Sequence, residues 1–282
     1  MLQFELLDET FDINKTSSLH LSIQASLDGF LFSILEPFSL KYLVLKRYQF
    51  EPVSNSDMLF EKIEAILQQD PLLQQTYHGV SCIQVDNRST LLPAALFDKS
   101  QLKSYFEFNH TLDDLDELRY NYLKQIDAYL VFPMYHELAN LYLKSWLNAT
   151  FYHQATPFIS EVVHTGSLGG KAAHVHFSSG HFDIAVTNKQ KLLFHNNFIY
   201  RSDEDVWYFI LFVFDKLGLD QGSTPLQLSG EIDKFSERPS MLKRYFRNVK
   251  FRSAPAEFQY PYVFDSDQMH SCLSLFKVFH CG

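Results

Sequence analysis

One order of strand, turn and helix signals occurs twice in this chain, about half its length apart. Leu19, Leu21, Ile23 and Ala25 alternate with polar residues, Ser26-Leu27-Asp28-Gly29 offers a turn, and Phe30, Phe32 and Ile34 alternate back before Pro37. Alternation at period two marks a half-buried strand, and Asp-Gly is a strong hairpin signal. Lys41 to Phe50 reads as a third strand. Asp57 then opens a helix with the apolar stripe Met58, Ile63, Ile66 and Leu67, and Gly79 to Val85 reads as a fourth strand. In the second half Ala173, Val175 and Phe177 alternate, Ser178-Ser179-Gly180 turns, and Phe182, Ile184 and Val186 alternate back. Asn188-Lys189 turns again, and Leu192 to Tyr200 is a third strand. An acidic start at Ser202-Asp203-Glu204-Asp205 suits a helix running to a C′ glycine, Gly218. Pro225 to Leu228 is a strand ending at Ser229-Gly230. Gly29 and Gly180 lie 151 positions apart in 282 residues. Five elements repeated in order at a fixed period point to an internal duplication.

Between and around the repeats the signals are weaker. Residues 1–17 are acidic and read as an irregular arm. Helical material is expected around 93–106 and an acidic loop over 108–118. Strands follow at Tyr120–Ile126 and Ala128–Phe132, a helix at Tyr135–Leu147 and a short strand at Phe151–Gln154. Thr156-Pro157 has the cap-then-proline layout of a helix start. Ser240 to Phe246 reads as a helix and Asn248 to Arg252 as a strand. In the aromatic tail, Phe258, Tyr260, Tyr262 and Phe264 are expected to close a sheet edge of the second half, and Phe276 and Phe279 lie beyond them.

Composition narrows the function classes. With 24 Lys and Arg against 33 Asp and Glu the net charge is −9, the wrong sign for a phosphate backbone, so no nucleic-acid partner is expected. The basic cluster Arg238, Lys243, Arg244, Arg247, Lys250 and Arg252 reads as a solvated helix face and edge strand, or a docking patch for an acidic protein. Phe 27, Tyr 15 and Trp 2 stand against Gly 10, a pairing that disfavours chemistry built on several glycine-rich loops. Cys82, Cys272 and Cys281 have no framework spacing and suit free thiols in a reducing compartment. The longest apolar run, Val206 to Phe214, has nine residues where a membrane span needs about 20, so a cytoplasmic protein without direct membrane insertion is expected.

Two βββαβα halves joined by a helix that follows a proline resemble the actin-like ATPase superfamily. The opening Leu21 to Ser33 and the aromatic C-terminus resemble, more narrowly, a bacterial family of uncharacterised proteins with that fold. The resemblance implies an α/β architecture of two ribonuclease-H-like half-domains, 1–154 (with the arm 1–17) and 155–282 (with a connecting helix, 155–166). It also implies an interdomain cleft in which ATP would lie against the two hairpins. The superfamily's second hairpin reads Asp-x-Gly-Gly-Gly-Thr-x-Asp; here the aligned residues are His176-Phe177-Ser178-Ser179-Gly180-His181-Phe182-Asp183. The first reads Gln24-Ala25-Ser26-Leu27-Asp28-Gly29, and Leu228-Ser229-Gly230-Glu231 resembles the adenosine loop. By that resemblance the nucleotide contacts fall at Ser26, Asp28, Gly29, Ser178, Ser179, Gly180, Asp183, Ser229 and Gly230. Gln24 and His176 stand where the superfamily has the aspartates that organise hydrated Mg²⁺. Phosphoryl transfer depends on positioning and charge neutralisation, so these replacements argue against ATP hydrolysis.

Other constellations compete less well. His174-x-His176 shares one strand face and, with His181, His195 and Asp183, could be assembled around a metal, but two His at i, i+2 is an unspecific pattern. Gly166-Ser-Leu-Gly-Gly170-Lys171 falls one residue short of a P-loop, lacks its hydroxyl and precedes a strand; it reads as an interdomain linker. Cys82 sits in an apolar strand and reads as inert, and Asp113, Asp114, Asp116 and Glu117 fit no Ca²⁺ loop. The expected function is therefore a non-catalytic adaptor or scaffold for a protein partner, with no cofactor. The second reading is an ATPase or phosphotransferase with ATP and Mg²⁺ in the cleft.

Overall fold

The computed structural model describes residues 1–51, 56–166, 170–264 and 269–281. The centre of the Gly166–Lys171 linker, residues 167–169, therefore lies outside the described residues. Two sheets carry the duplication. In the first, β2 (His20–Ser26), β3 (Gly29–Glu36) and β4 (Lys41–Gln49) run antiparallel; β5 (Gly79–Gln84) and β9 (Ala149–His153) then add in parallel beside β2. In the second, β10 (Lys171–Ser178), β11 (His181–Asn188) and β12 (Lys191–Ile199) are antiparallel, and β13 (Leu226–Gly230) and β14 (Val249–Phe251) add in parallel beside β10. The orders β4-β3-β2-β5-β9 and β12-β11-β10-β13-β14 coincide strand for strand.

The same faces are buried in both. Leu21, Ile23, Phe32, Val80 and Cys82 pack under α1 (Ser56–Gln69) and α3 (His136–Ser145), through Leu59, Ile63, Leu138 and Tyr142. Val175, Phe182, Ile184 and Leu228 pack under α5 (Asp203–Lys216) and α6 (Glu237–Tyr245), through Val206, Ile210, Phe214 and Leu242. Each such side chain contributes about 1.5–3 kcal/mol by leaving water, so most of the phenylalanine surplus is core. Burial pushes the Cys82 thiol well above its ordinary pKa, in keeping with an inert thiol.

The opposite faces are covered by exchange. Helix α4 (Ala155–Thr165), which follows β9 of the first sheet, lays Phe158, Ile159, Val162 and Val163 against Ala185 of β11 and Leu192 of β12 in the second sheet. Helix α7 (Leu273–Lys277), with Phe258 and Phe264 before it, covers Leu31, Leu35, Tyr42 and Leu45 of the first sheet. The two helices also touch each other. Thus the aromatic tail does not close a sheet edge of the second half. It crosses back to the first, where its apolar rings find an open sheet face.

Four other expectations are corrected. Residues 2–7 are not an irregular arm: β1 (Leu2–Leu7) pairs antiparallel with β4 as the sheet's edge. Helix is confined to α2 (Leu102–Glu107) and short 3₁₀ turns within 93–106, because β6 (Thr90–Pro93) joins β7 (Asp116–Leu123) and β8 (Ala128–Tyr135) in a separate three-stranded sheet, which takes Asp116 and Glu117 out of the loop. Thr156 does not cap α4. The helix starts at Ala155, and Pro157 is its third residue, where an N–H has no intrahelical partner to lose. The basic cluster is also not uniformly solvated, since Arg252 is buried and its Nη2 meets Glu161 Oε1 at 2.6 Å.

Candidate functional site

Both hairpin tips point into one cleft between the halves. It encloses about 610 Å³ and is lined by Ser26, Asp28, Asp86, Arg88, Asp113 and Ser179, among others. The two tips are built differently. In the first, Leu27-Asp28 form the turn and Gly29 already pairs with Ser26; a Cβ there would come within 3.1 Å of the Tyr48 carbonyl. In the second, Ser179-Gly180 form the turn, and Gly180 has φ +74°, a left-handed conformation that favours glycine. Gly29 thus serves close packing, while Gly180 serves the turn itself.

Of the sequence-chosen residues, Ser26, Asp28 and Ser179 line this cleft. Ser26 Oγ donates to Asp28 Oδ1 at 2.6 Å, which fixes the first tip. Ser178, Asp183 and Ser229 are buried beneath it. Gly230 lines a second cavity of about 460 Å³, together with Phe4, Arg47, Glu231, Phe235 and His270. A bridge of charged groups joins the halves here. Arg47 pairs with Glu231, and Glu231 also faces Asp28. Burial, reinforced by the Asp28 charge, raises the Glu231 carboxyl to about 7.

Asp183 is the residue aligned with the superfamily's final motif aspartate. Both of its oxygens are engaged within the protein: His195 Nε2 donates to Oδ1 at 3.0 Å, and Gln154 Nε2 donates to Oδ2 at 3.1 Å. Burial alone would raise this carboxyl, but the His195 hydrogen bond and charge, with His153 and His181 nearby, hold it well below the usual carboxylate range. Gln154 spans the halves. Its amide also reaches His181 Nε2 at 2.9 Å, and its Oε1 accepts the Asp86 backbone N–H at 2.7 Å. His153 beside it accepts from the Ala155 N–H at Nδ1 and donates from Nε2 to the Asp86 carbonyl, so both its nitrogens are used. Burial lowers its pKa to about 4 and keeps it neutral.

The histidines do not converge on one point. His174 meets Thr187 Oγ1 at 3.0 Å and His176 meets Ser229 Oγ at 3.1 Å, while His195 serves Asp183 and His181 serves Gln154. Among the described residues no cluster of three or more His, Cys, Asp or Glu is arranged to hold a metal ion.

The cleft's charge was not legible in the sequence. Arg88 is its one guanidinium among the lining residues, and it is spent on three aspartates. Its contacts are Asp86 at 3.0 Å, Asp113 at 3.0 Å and Asp116 at 2.7 Å. Asp86 and Arg88 follow the C-terminal end of β5, a position where α/β sheets commonly present functional groups; that is the one sequence signal available. A magnesium-bound triphosphate does not suit this donor set. Its phosphates would meet carboxylates with no free lysine or arginine opposite them among the described residues, and both Asp183 oxygens are already engaged by His195 and Gln154.

The structure is similar to a protein with actin-like ATPase fold and unknown function from Bacteroides thetaiotaomicron VPI-5482, with 25% identity over 86% of this chain and 94% of that one, at a TM-score of 0.80. A PilM-PilN type IV pilus biogenesis complex is similar at 9% identity over 93% and 98%, TM-score 0.57. The ethanolamine utilization protein EutJ from Carboxydothermus hydrogenoformans is similar at 8% identity over 98% and 93%, TM-score 0.51. These last two share the fold alone. No curated protein matches by sequence. The chain has the actin-like ATPase fold, and it belongs to the family described as protein of unknown function (DUF3822), whose model matches residues 8–249.

Proposed function

We propose that this protein is a cytoplasmic adaptor or scaffold that keeps the two-half architecture to hold a protein partner and does not hydrolyse ATP. The observation that carries the reading is the closure of Asp183 by His195 and Gln154. A carboxylate locked in a buried ion pair cannot reorganise around a hydrated cation without leaving His195 and Gln154 unpaired. Gln24 and His176, in place of the motif aspartates, and the acidic cleft around Arg88 support the same reading. That a PilM-PilN complex shares the fold supports holding a partner as a use of this architecture.

The second reading, ATP binding in the cleft, draws on the cavity between the hairpins, which has room for a nucleotide and presents the Ser26 and Ser179 hydroxyls. Thermal unfolding with increasing ATP·Mg²⁺ separates the two. Ligand at 100 times its Kd adds about 2.7 kcal/mol of stability. The adaptor reading expects no shift at millimolar ATP·Mg²⁺. A saturable shift that is lost in Gly180→Val would replace it with the second.

A further inference from the structure

Away from the cleft, on the side where the exchanged helices meet, a third cavity of about 320 Å³ lies between α4 and the C-terminal tail. Its lining includes Leu40, Ser160, Glu161, Lys277, His280 and Cys281. Two of these are buried charges of opposite sign. Glu161 is 4% exposed and Lys277 is 6% exposed. Each has an ion-pair partner, Arg252 Nη2 for Glu161 Oε1 and Glu257 for Lys277. An ammonium has three donors and a carboxylate about four acceptor sites, so each can take more than one partner. The two groups are close enough to interact electrostatically, and burial raises the Glu161 carboxyl. Leu40, the Cys281 thiol and the His280 ring, which stacks on Phe258 at 5.1 Å, supply its apolar surface, and Gln125, His164 and Glu257 complete the lining. A mostly apolar pocket with a few convergent polar groups is the usual form of a small-molecule site.

We propose that this cavity binds a small apolar zwitterion of the α-amino acid class, its ammonium against Glu161, its carboxylate against Lys277 and its side chain along Leu40 and Cys281. Size agrees: a cavity of about 320 Å³ lies in the range of small-molecule sites. Opposite charges on one wall select for a ligand that carries both. A ligand with only one forgoes the second charge-assisted contact, which costs about tenfold in affinity. The proposal does not depend on the adaptor reading, because these residues lie outside the cleft.

The test uses L-leucine, with isoamylamine (no carboxylate) and 4-methylpentanoate (no ammonium) as matched probes, titrated calorimetrically into the full chain. Saturable leucine binding at least about tenfold tighter than either analogue is expected. Hydrogen-exchange protection should be confined to the segments lining the cavity, around Leu40, 155–166 and 273–281. Lys277→Met should abolish the preference for leucine over isoamylamine. Ser160→Leu fills the cavity from its partly exposed side and should abolish binding with the thermal midpoint retained, so that one variant remains informative if the other fails to fold. No saturable leucine binding up to 20 mM, equal binding of the three probes, or protection at the cleft instead would overturn the assignment.

Discussion

Gly230 and Phe177 approach so closely that a Cβ on Gly230 would stand 2.1 Å from the Phe177 carbonyl oxygen. Gly230 ends β13 at φ +84°, and the next residue, Glu231, donates its N–H to that same carbonyl at 2.8 Å. The glycine of the adenosine-like loop is therefore required by the contact between β13 and β10, whatever the cleft binds. Gly230→Ala should lower the unfolding free energy by at least about 3 kcal/mol, since it adds both strain and a clash. Gly180→Ala has positive φ but open space around it, so about 1–2 kcal/mol is expected. Urea midpoints at constant slope measure both. Equal losses would mean that close approach is not what Gly230 supplies.

Asp183→Asn should cost about 1–3 kcal/mol at neutral pH, because the amide cannot accept from both His195 and Gln154 as the buried carboxylate does. The native carboxyl is held below the ordinary value. Its contribution is therefore present above the unfolded pKa of about 3.9 and is lost as pH falls through the lower folded value. Wild type and variant should converge in stability only well below pH 4. Convergence near pH 6 would show that the carboxyl is not depressed.

Buried His153, His174 and His176, with half-buried His20, set a second acid limit. Burial lowers His20, His153 and His176 to about 4 and His174 to about 3. The unfolded chain binds protons first as pH drops below about 6.5, so stability falls with pH between about 6.5 and 4. Unfolding at pH 5.5 should take up about three protons, read from the buffer dependence of the calorimetric enthalpy. Uptake of less than one proton would contradict neutral burial of these rings.

Phe276→Ala should destabilise the first half as well as the tail. The ring is fully buried 4.6 Å from the Tyr42 ring, and the Tyr42 hydroxyl donates to the Phe276 carbonyl at 2.6 Å. A loss of about 3–5 kcal/mol is expected, with faster hydrogen exchange in β3 and β4. Faster exchange confined to residues 269–281 would mean that the tail is only an appendage.

The duplication was legible because its signals are local. Alternation through Leu21–Ala25 and Ala173–Phe177 and the turns at Asp28 and Gly180 need no distant partner. The same logic was present at Phe4 and Leu6, alternating with Gln3 and Glu5, but the acidic residues nearby masked β1. Arg88 with Asp113 and Asp116, and Gln154 with Asp183, join residues more than 20 positions apart on separate elements, and no spacing rule announces such contacts. Arg252 looked like a surface charge in a basic run. Only the fold places Glu161, 91 residues earlier, against it.

The exchange of α4 and α7 orders events during synthesis on the ribosome. When β2 to β9 have emerged, the face bearing Leu31, Leu35, Tyr42 and Leu45 has no cover, because the residues that cover it, within 258–264 and 269–281, are translated only after both sheets. The second sheet differs: α4 precedes it in the chain and is waiting when β11 and β12 arrive. The half made second can therefore complete its packing first, while the half made first stays adhesive until the tail arrives. A nascent chain stalled before Phe258 would hold that face open to chaperones.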